Sequence, residues 1–225
     1  MSHPRLLLVE GDDDAHAIRN LLGQHDISVA FLPKAGSSHV VAIKQVESVD
    51  DFPPAIRNEL KVGPDLSVLG VVADADRSPE SEWESVWNAL FAHGECPPMP
   101  ELKHDGWTGS VPTAEHDEIP AGVWIMPDNV SEGALEEFAM ELIPDEDQLW
   151  GYSHEVIDGL PERRFDDKDE GKAQIHTWLA WQETPREPIG RALTQEVLNP
   201  EADLAERFVE WIRRLFSAKG EVLQQ

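Results

Sequence analysis

Short apolar runs alternate with amphipathic segments along most of the chain. The apolar runs are rich in Val, Leu and Ile, as buried parallel strands usually are, and they predict strands at 6–9, 27–32, 40–46, 68–73 and 122–126. Segments in which apolar residues recur every three or four positions predict helices at 13–22, 52–62, 79–91, 131–143, 168–181, 189–193 and 202–216. This order predicts an α/β fold with a mostly parallel central sheet flanked by helices and a helical C-terminal third.

One segment rich in proline and glycine, 94–121, interrupts this alternation. Its lack of periodicity predicts a long insertion or an irregular hairpin. We therefore expect residues 1–145 to form an α/β core that carries this insertion. Residues 146–225 are expected to form a helical region that packs on the core.

Acidic residues follow two of the predicted strands directly. Glu10 and Asp14 come after the first strand, and Asp74 and Asp76 come after the strand at 68–73. Ligands of open α/β sheets bind outside the carboxyl ends of such strands. Carboxylates crowded there repel one another by about 4 kcal/mol per close pair at an effective dielectric constant of about 20, so a cation is expected among them. Because all the candidate ligands are oxygens, one or two Mg²⁺ or Mn²⁺ ions fit best.

A third acidic group follows the strand predicted at 122–126. Asp128, Glu132 and Glu136 are spaced four residues apart, so the two glutamates are expected on one face of the following helix, where they would offer ligands for a second ion. A solvated outer helix face is the alternative for the glutamates. His16 lies beside the acids on the first helix, but an ordinary surface or core histidine is the favoured interpretation.

The composition limits the classes of partner. Asp and Glu number 44 against 18 Lys and Arg, which gives a formal net charge of -26. Such a surface opposes non-specific attraction to nucleic acid or to an anionic membrane. The single cysteine, Cys96, excludes an internal disulfide framework and a Cys-based zinc site, and no apolar run reaches the roughly 18 to 20 residues of a membrane span. We expect a cytoplasmic protein with no membrane partner, and the oligomeric state stays open.

Two sequence motifs resemble those of a known family. LLVEGDDD at 7–14 and GVVADAD at 70–76 resemble the Toprim domain, the metal-binding α/β fold of topoisomerases, primases and OLD-like nucleases. GVWIMPDN at 122–129, GALE at 133–136 and KAQIHTWLA at 172–180 are similar to a small Toprim-like group of uncharacterised proteins related to OLD nucleases. The resemblance then covers nearly the whole chain.

The resemblance implies a Toprim-like fold and a metal-dependent hydrolase. Glu10, Asp14, Asp74 and Asp76 would hold one or two divalent ions, as in OLD-like enzymes, which use two metals to hydrolyse phosphodiesters of DNA or RNA. Glu10, Asp74 and Asp76 would then be catalytic as well as metal-binding.

The resemblance also implies further acids and a lysine. By position, Asp128, Glu132 or Glu136 would supply the acids, and Lys172 or Lys168 would supply the lysine. Many OLD proteins carry an ATPase domain, but this chain has no Gly-rich phosphate-binding loop of the GxxxxGK[ST] type. Any ATPase function would have to come from a partner protein.

The strong negative charge argues against a nuclease, because nucleases gain affinity by neutralising phosphates with Lys and Arg. A limited basic groove could still form. The basic residues expected for it are Lys34, Lys44, Arg77, Arg163, Arg164, Lys168 and Lys172.

Two other classes of function remain open. The chain could be a non-catalytic Toprim-like subunit that binds a partner through its Trp-rich C-terminal helices. It could also be a receiver-like signalling module in which Asp74 accepts a phosphoryl group, although the DxD pair and the Glu10-Gly11 step favour the Toprim reading.

Overall fold

The computed structural model describes residues 5–35, 40–62, 66–75, 78–115, 117–185 and 187–217. Within these residues six strands form one sheet. They are β1 (Arg5–Glu10), β2 (Val29–Phe31), β3 (Val41–Val46), β4 (Val68–Ala73), β5 (Trp107–Pro112) and β6 (Glu118–Ile125). Their order is β2-β3-β1-β4-β6-β5, and every neighbouring pair is parallel except β5 with β6. The prediction of a mostly parallel sheet is confirmed.

Helices cover both faces of this sheet. They are α1 (Asp12–Gln24), α2 (Phe52–Val62), α3 (Pro79–Leu90), α4 (Leu135–Met140), α5 (Gln148–Asp158), α6 (Glu170–Ala180), α7 (Ile189–Thr194) and α8 (Asp203–Phe216). Helices α2 and α3 pack on one face, and α1, α4, α6, α7 and α8 pack on the other. Helix α5 lies against α6, where the rings of Trp150 and Trp178 are 6.4 Å apart. The α/β class and the helical C-terminal part are therefore as predicted.

The two cores follow from the alternation of side chains along each strand. In β1, Leu6 and Leu8 face α2 and α3, whereas Leu7 and Val9 face the opposite helices. All four side chains are buried. A strand that is apolar on both sides is stable only between two layers of helices, which explains its uninterrupted apolar sequence.

A pair of glycines lets α8 approach the sheet closely. Gly70 of β4 and Gly122 of β6 are register partners on the face that α8 covers. A Cβ atom on Gly122 would lie 2.8 Å from Leu215 Cδ2, and one on Gly70 would lie 3.1 Å from the same atom. The C-terminal helix therefore shares its core with the strands, while the domain boundary at residue 145 stays a prediction.

The helix predicted at 131–143 is wrong at its N-terminal end. Asp128 accepts hydrogen bonds from the backbone N–H of Val130 and Ser131, which holds this part of the chain in a turn. The helix, α4, begins only at Leu135, and near its start the side chain of Glu137, rather than that of Ser131, accepts a hydrogen bond from the N–H of Ala134. The carboxylate of Asp128 competes with helical carbonyl groups as an acceptor for these N–H groups, and the resulting turn prevents the helix from beginning at Ser131.

The segment 94–121 is more ordered than its sequence suggested. Its second half forms the antiparallel pair β5 and β6, so β6 begins before the strand predicted at 122–126. Its proline-rich half is anchored by indole N–H groups, because Trp83 donates to the carbonyl of Pro100 and Trp87 to that of Pro97. Helix α5 lies between predicted helices and was not anticipated. In the described part of the chain, no helix is both long and apolar enough to cross a membrane.

Candidate functional site

Strands β1 and β4 bring two acidic residues to the same edge of the sheet. They are parallel neighbours with Val9 opposite Val72, so Glu10 and Asp74 lie where the two strands end. Both side chains are half-buried. This is the carboxyl edge at which α/β proteins bind ligands.

Gly11 directs the chain from β1 into α1. Its backbone has φ 62° and ψ 174°, a conformation that is accessible essentially only to glycine. Its N–H donates to the carbonyl of Val46 at 3.1 Å, which fixes the turn to β3. The turn places Asp14 in the first turn of α1.

The pKa of Asp14 is strongly perturbed at this edge. Burial raises its pKa to about 7, a hydrogen bond from its own backbone N–H opposes that rise, and the charges of Glu10, Glu136 and Asp13 add to it. The carboxylates of Glu10 in β1, Asp14 in α1 and Glu136 in α4 therefore interact electrostatically with one another. Near neutral pH, Asp14 holds its proton about half of the time.

Lys172 of α6 lies at the rim of the same cluster. Its Nζ is 3.6 Å from Oε1 of Glu136, and its side chain is half exposed. Glu136 raises the pKa of Lys172 most, partial burial opposes the rise, and Asp74 and Asp169 add to it. The ammonium group of Lys172 therefore interacts electrostatically with both Glu136 of α4 and Asp74 at the end of β4.

Two local contacts hold the segments of this cluster together. The N–H of Ala75 donates to the carbonyl of Gly133 at 2.9 Å, which fixes the end of β4 beside the start of α4. Helix α6 presses on α4 at Gly171, where a Cβ atom would lie only 2.5 Å from Oε1 of Glu137. Glu137, a candidate for a charged outer helix face or a metal ligand, therefore contacts the start of its own helix and the neighbouring α6. Ala134 lacks the Ser or Thr hydroxyl of a capping box, so the sequence carries only the glutamate half of that signal.

Asp128, by contrast, uses its carboxylate to build a turn. It accepts hydrogen bonds from the N–H groups of Val130 and Ser131 and from the hydroxyl of Ser131, at 3.1, 2.8 and 3.2 Å, and it lies 3.6 Å from Nδ1 of His104. Glu132 is exposed and lies before α4, so the two glutamates do not share a helix face as predicted.

The remaining candidates contribute less to the geometry. Asp76 and Arg77 lie outside the described residues. Lys168 is exposed in the short 3₁₀ turn Asp167–Asp169 that precedes α6. His16 is exposed, and its ring contacts the ring of Phe31 edge-on at 4.9 Å, as expected of an ordinary surface histidine.

The chemistry of the cluster fits a hard divalent cation. Glu10, Asp14, Asp74 and Glu136 offer only carboxylate oxygens, and Oε2 of Glu10 is buried. A cation would replace the proton of Asp14 and offset the repulsion that raises its pKa. Within the described part of the chain, which does not include Asp76, no three His, Cys, Asp or Glu side chains are arranged to hold a metal ion.

Several of the expected basic residues are engaged with carboxylates elsewhere. Lys44 pairs with Glu59 at 2.5 Å, Arg163 pairs with Asp158 and Glu170 at 2.9 and 2.8 Å, and Arg164 pairs with Glu162 at 3.5 Å. These pairs cancel the positive charge that a basic groove would need.

The fold and the site together define an α/β protein with an acidic cluster at the carboxyl edge of a mostly parallel sheet. Residues 4–217 match the family described as "Protein of unknown function (DUF3226)", and the chain belongs to this family. No curated protein and no solved structure matches the chain.

Proposed function

We propose that this chain is a Mg²⁺- or Mn²⁺-dependent hydrolase of nucleic-acid phosphodiesters with a Toprim-like site similar to that of OLD-like nucleases. The observation that carries the proposal is the acidic cluster around Asp14. Burial, together with the negative charges of Glu10 and Glu136, raises the pKa of Asp14 to about 7. A half-buried group of acids that raise one another's pKa at a ligand-binding edge suits a cation. The single, exposed Cys96 favours a cytosolic setting for this activity.

The ligands of the metal would be Glu10, Asp14, Asp74 and Glu136, and the sequence resemblance adds Asp76. A bound ion would activate water and offset the charge of the scissile phosphate. Asp14 would release its proton when the ion binds, since a carboxylate must be ionised to act as a ligand.

Lys172 would be the basic member of this site. Glu136 holds its ammonium group at the rim, and half of the side chain remains open to solvent. In this position Lys172 would neutralise negative charge that develops on a phosphate. Glu136 would thus orient the lysine as well as contribute to the acidic cluster.

A second candidate function is a non-catalytic Toprim-like subunit that works with a partner protein, which would supply any ATPase activity. The ion pairs of Lys44, Arg163 and Arg164 favour this candidate, because they leave little positive charge for a long nucleic acid.

Cleavage of DNA and RNA at low ionic strength in Mn²⁺ tests the proposal. We expect the wild-type protein to cleave, Asp74→Asn to abolish cleavage, and Asp128→Asn to retain it. A protein that binds Mn²⁺ but cleaves no DNA or RNA would favour the subunit function. Stable labelling of Asp74 by acetyl phosphate would instead support the receiver-like alternative.

A further inference from the structure

A polar groove runs beside the acidic cluster, between α1 and α7. Its volume is about 570 Å³, which is within the range of ordinary ligand sites. Asp13, next to Asp14 of the cluster, lines one part of it. The lining also includes His16, Arg19, Asn20, Arg191 and Gln195.

The groove has a fixed floor because α1 and α7 touch there. A Cβ atom on Gly190 would lie 2.9 Å from the backbone N of Ala17, so only glycine permits this approach. Asn20 reinforces the contact by donating from Nδ2 to the carbonyl of Gly190 at 2.7 Å. Two helices that are far apart in sequence therefore form one rigid surface.

Arg19 gives the groove a positive charge that is not ion-paired within the described residues, although Asp13 also lines the groove. Its Cζ lies 5.0 Å from the centroid of the Phe31 ring, and its Nη2 donates to Oδ1 of Asn20 at 3.1 Å. Across the described residues, no carboxylate is within ion-pair distance of Arg19, whereas Arg191 pairs with Glu187 at 3.0 Å. In a chain of net charge -26, a guanidinium held in this way marks a site for an anion.

Aromatic rings accompany this charge. The exposed ring of His16 lines the groove and is backed edge-on by Phe31, which also lies under Arg19. Cations next to stacking rings are the combination with which proteins bind single strands. A duplex, which presents a denser array of phosphates, would need more basic residues than this surface provides.

We propose that the groove between α1 and α7 binds a short single-stranded segment of the nucleic-acid substrate beside the acidic cluster. Arg19 and Arg191 would contact its phosphates, and His16 would stack on a base. This inference rests on the proposed function, because it names the substrate class and the path by which a strand reaches the acids.

Fluorescence anisotropy of a labelled oligothymidylate, with Ca²⁺ in place of Mn²⁺, tests the inference. We expect Arg19→Gln to weaken binding about five- to tenfold and to reduce the slope of log K against log salt by about 0.7, the value for one lost phosphate contact to a single strand. Arg191→Gln should have a smaller effect of the same kind, because Glu187 already pairs with this arginine.

Arg213→Gln is the matched control, because Arg213 lines a different groove with His25 and Arg207 at the other end of α1. It should leave the affinity unchanged. An equal loss in Arg19→Gln and Arg213→Gln would overturn the assignment to the α1–α7 groove. Tighter binding of a duplex of the same length would overturn the single-strand class. If Arg19→Gln does not fold, Arg191→Gln with the same control decides.

The rise in melting temperature with Mn²⁺ tests the proposed function separately, and Arg19→Gln should retain it. A wild-type protein that shows this rise but binds no oligothymidylate would overturn the groove inference alone. Absence of the rise, together with oligothymidylate binding that depends on Arg19, would overturn the metal-dependent function and support the groove.

Discussion

Lys172 Nζ lies 3.6 Å from Glu136 Oε1 at the edge of the acidic cluster, and this contact joins α6 to α4. Half of the lysine side chain is exposed, so solvent screens the pair and it contributes little to folding stability. Asp74 also raises the pKa of Lys172, so this pair borders the proposed metal site and its role there can be tested separately from stability.

Lys172→Gln should slow cleavage markedly and change the free energy of unfolding by less than about 1 kcal/mol. Binding of Mn²⁺ should not weaken, because removing a positive charge makes the cluster more negative. Cleavage rates, urea unfolding and the Mn²⁺-induced rise in melting temperature check these outcomes. Lys168→Gln is the control, because Lys168 is exposed in the turn before α6. A loss of cleavage in Lys168→Gln alone would transfer the role to that lysine.

The second prediction concerns pH. The pKa of Asp14 is raised from 3.8 to about 7, so the native state binds this proton more tightly than the unfolded state does. The contribution of Asp14 to the free energy of unfolding is therefore fully present below about pH 4 and is lost as the pH rises through about 7. Without metal, Asp14→Asn should be more stable than the wild type at pH 8, by at most roughly 4 kcal/mol, and the difference should vanish towards pH 4.

Urea unfolding in EDTA at a series of pH values measures this difference. Asp12→Asn is a suitable control, since Asp12 is exposed on the same turn of α1 and, unlike Asp13, is not among the charges that raise the pKa of Asp14. A difference between Asp14→Asn and the wild type that does not change with pH would mean that the substitution acts through packing rather than ionisation.

The third prediction separates the acids of the cluster from Asp128. Millimolar Mn²⁺ should raise the melting temperature of the wild type, because an ion that binds only the native state stabilises it by mass action. Asp74→Asn should lose that rise. Asp128→Ala should lower the melting temperature, because it removes the hydrogen bonds of the turn at a cost of about 1 to 2 kcal/mol, but it should keep the rise with Mn²⁺. Loss of the rise in Asp128→Ala would make Asp128 a ligand.

The sequence was sufficient to predict where Glu10 and Asp74 lie. Each follows a strand that is apolar on both faces, and such strands occupy the centre of a parallel sheet with their carboxyl ends at one edge. The role of Gly11 is also local, because it depends only on the backbone conformation of that one residue. Patterns that are local to one element were therefore reliable.

Features that depend on competition or on distant contacts were not predictable. Asp128, Glu132 and Glu136 have the four-residue spacing of a helix face, but the carboxylate of Asp128 accepts hydrogen bonds from the N–H groups that would have begun the helix. The groove at Arg19 exists only because Gly190 packs on α1, and no periodicity within either helix contains that contact. Local side-chain hydrogen bonds decided the first case, and tertiary packing decided the second.

The last prediction concerns the packing of α8 against the sheet. Gly122→Ala should destabilise the protein by about 1 to 3 kcal/mol, because the new Cβ atom would lie 2.8 Å from Leu215 Cδ2 and 3.1 Å from the backbone O of Trp107. The backbone O of Trp107 cannot move as readily as a flexible side chain. The steric clash can therefore be relieved only if α8 or β5 shifts. Urea unfolding measures the loss.

Gly151→Ala is the matched control for this substitution. Gly151 is exposed within α5, and a Cβ atom there would meet nothing within 4 Å. Alanine should stabilise this helix by up to about 1 kcal/mol, since it forms helices more readily than glycine. The two substitutions should therefore shift the free energy of unfolding in opposite directions. A neutral Gly122→Ala would mean that α8 does not depend on this glycine for its position, and that the C-terminal helix is held instead by the aromatic contacts of Phe208 and Trp211 with Trp124.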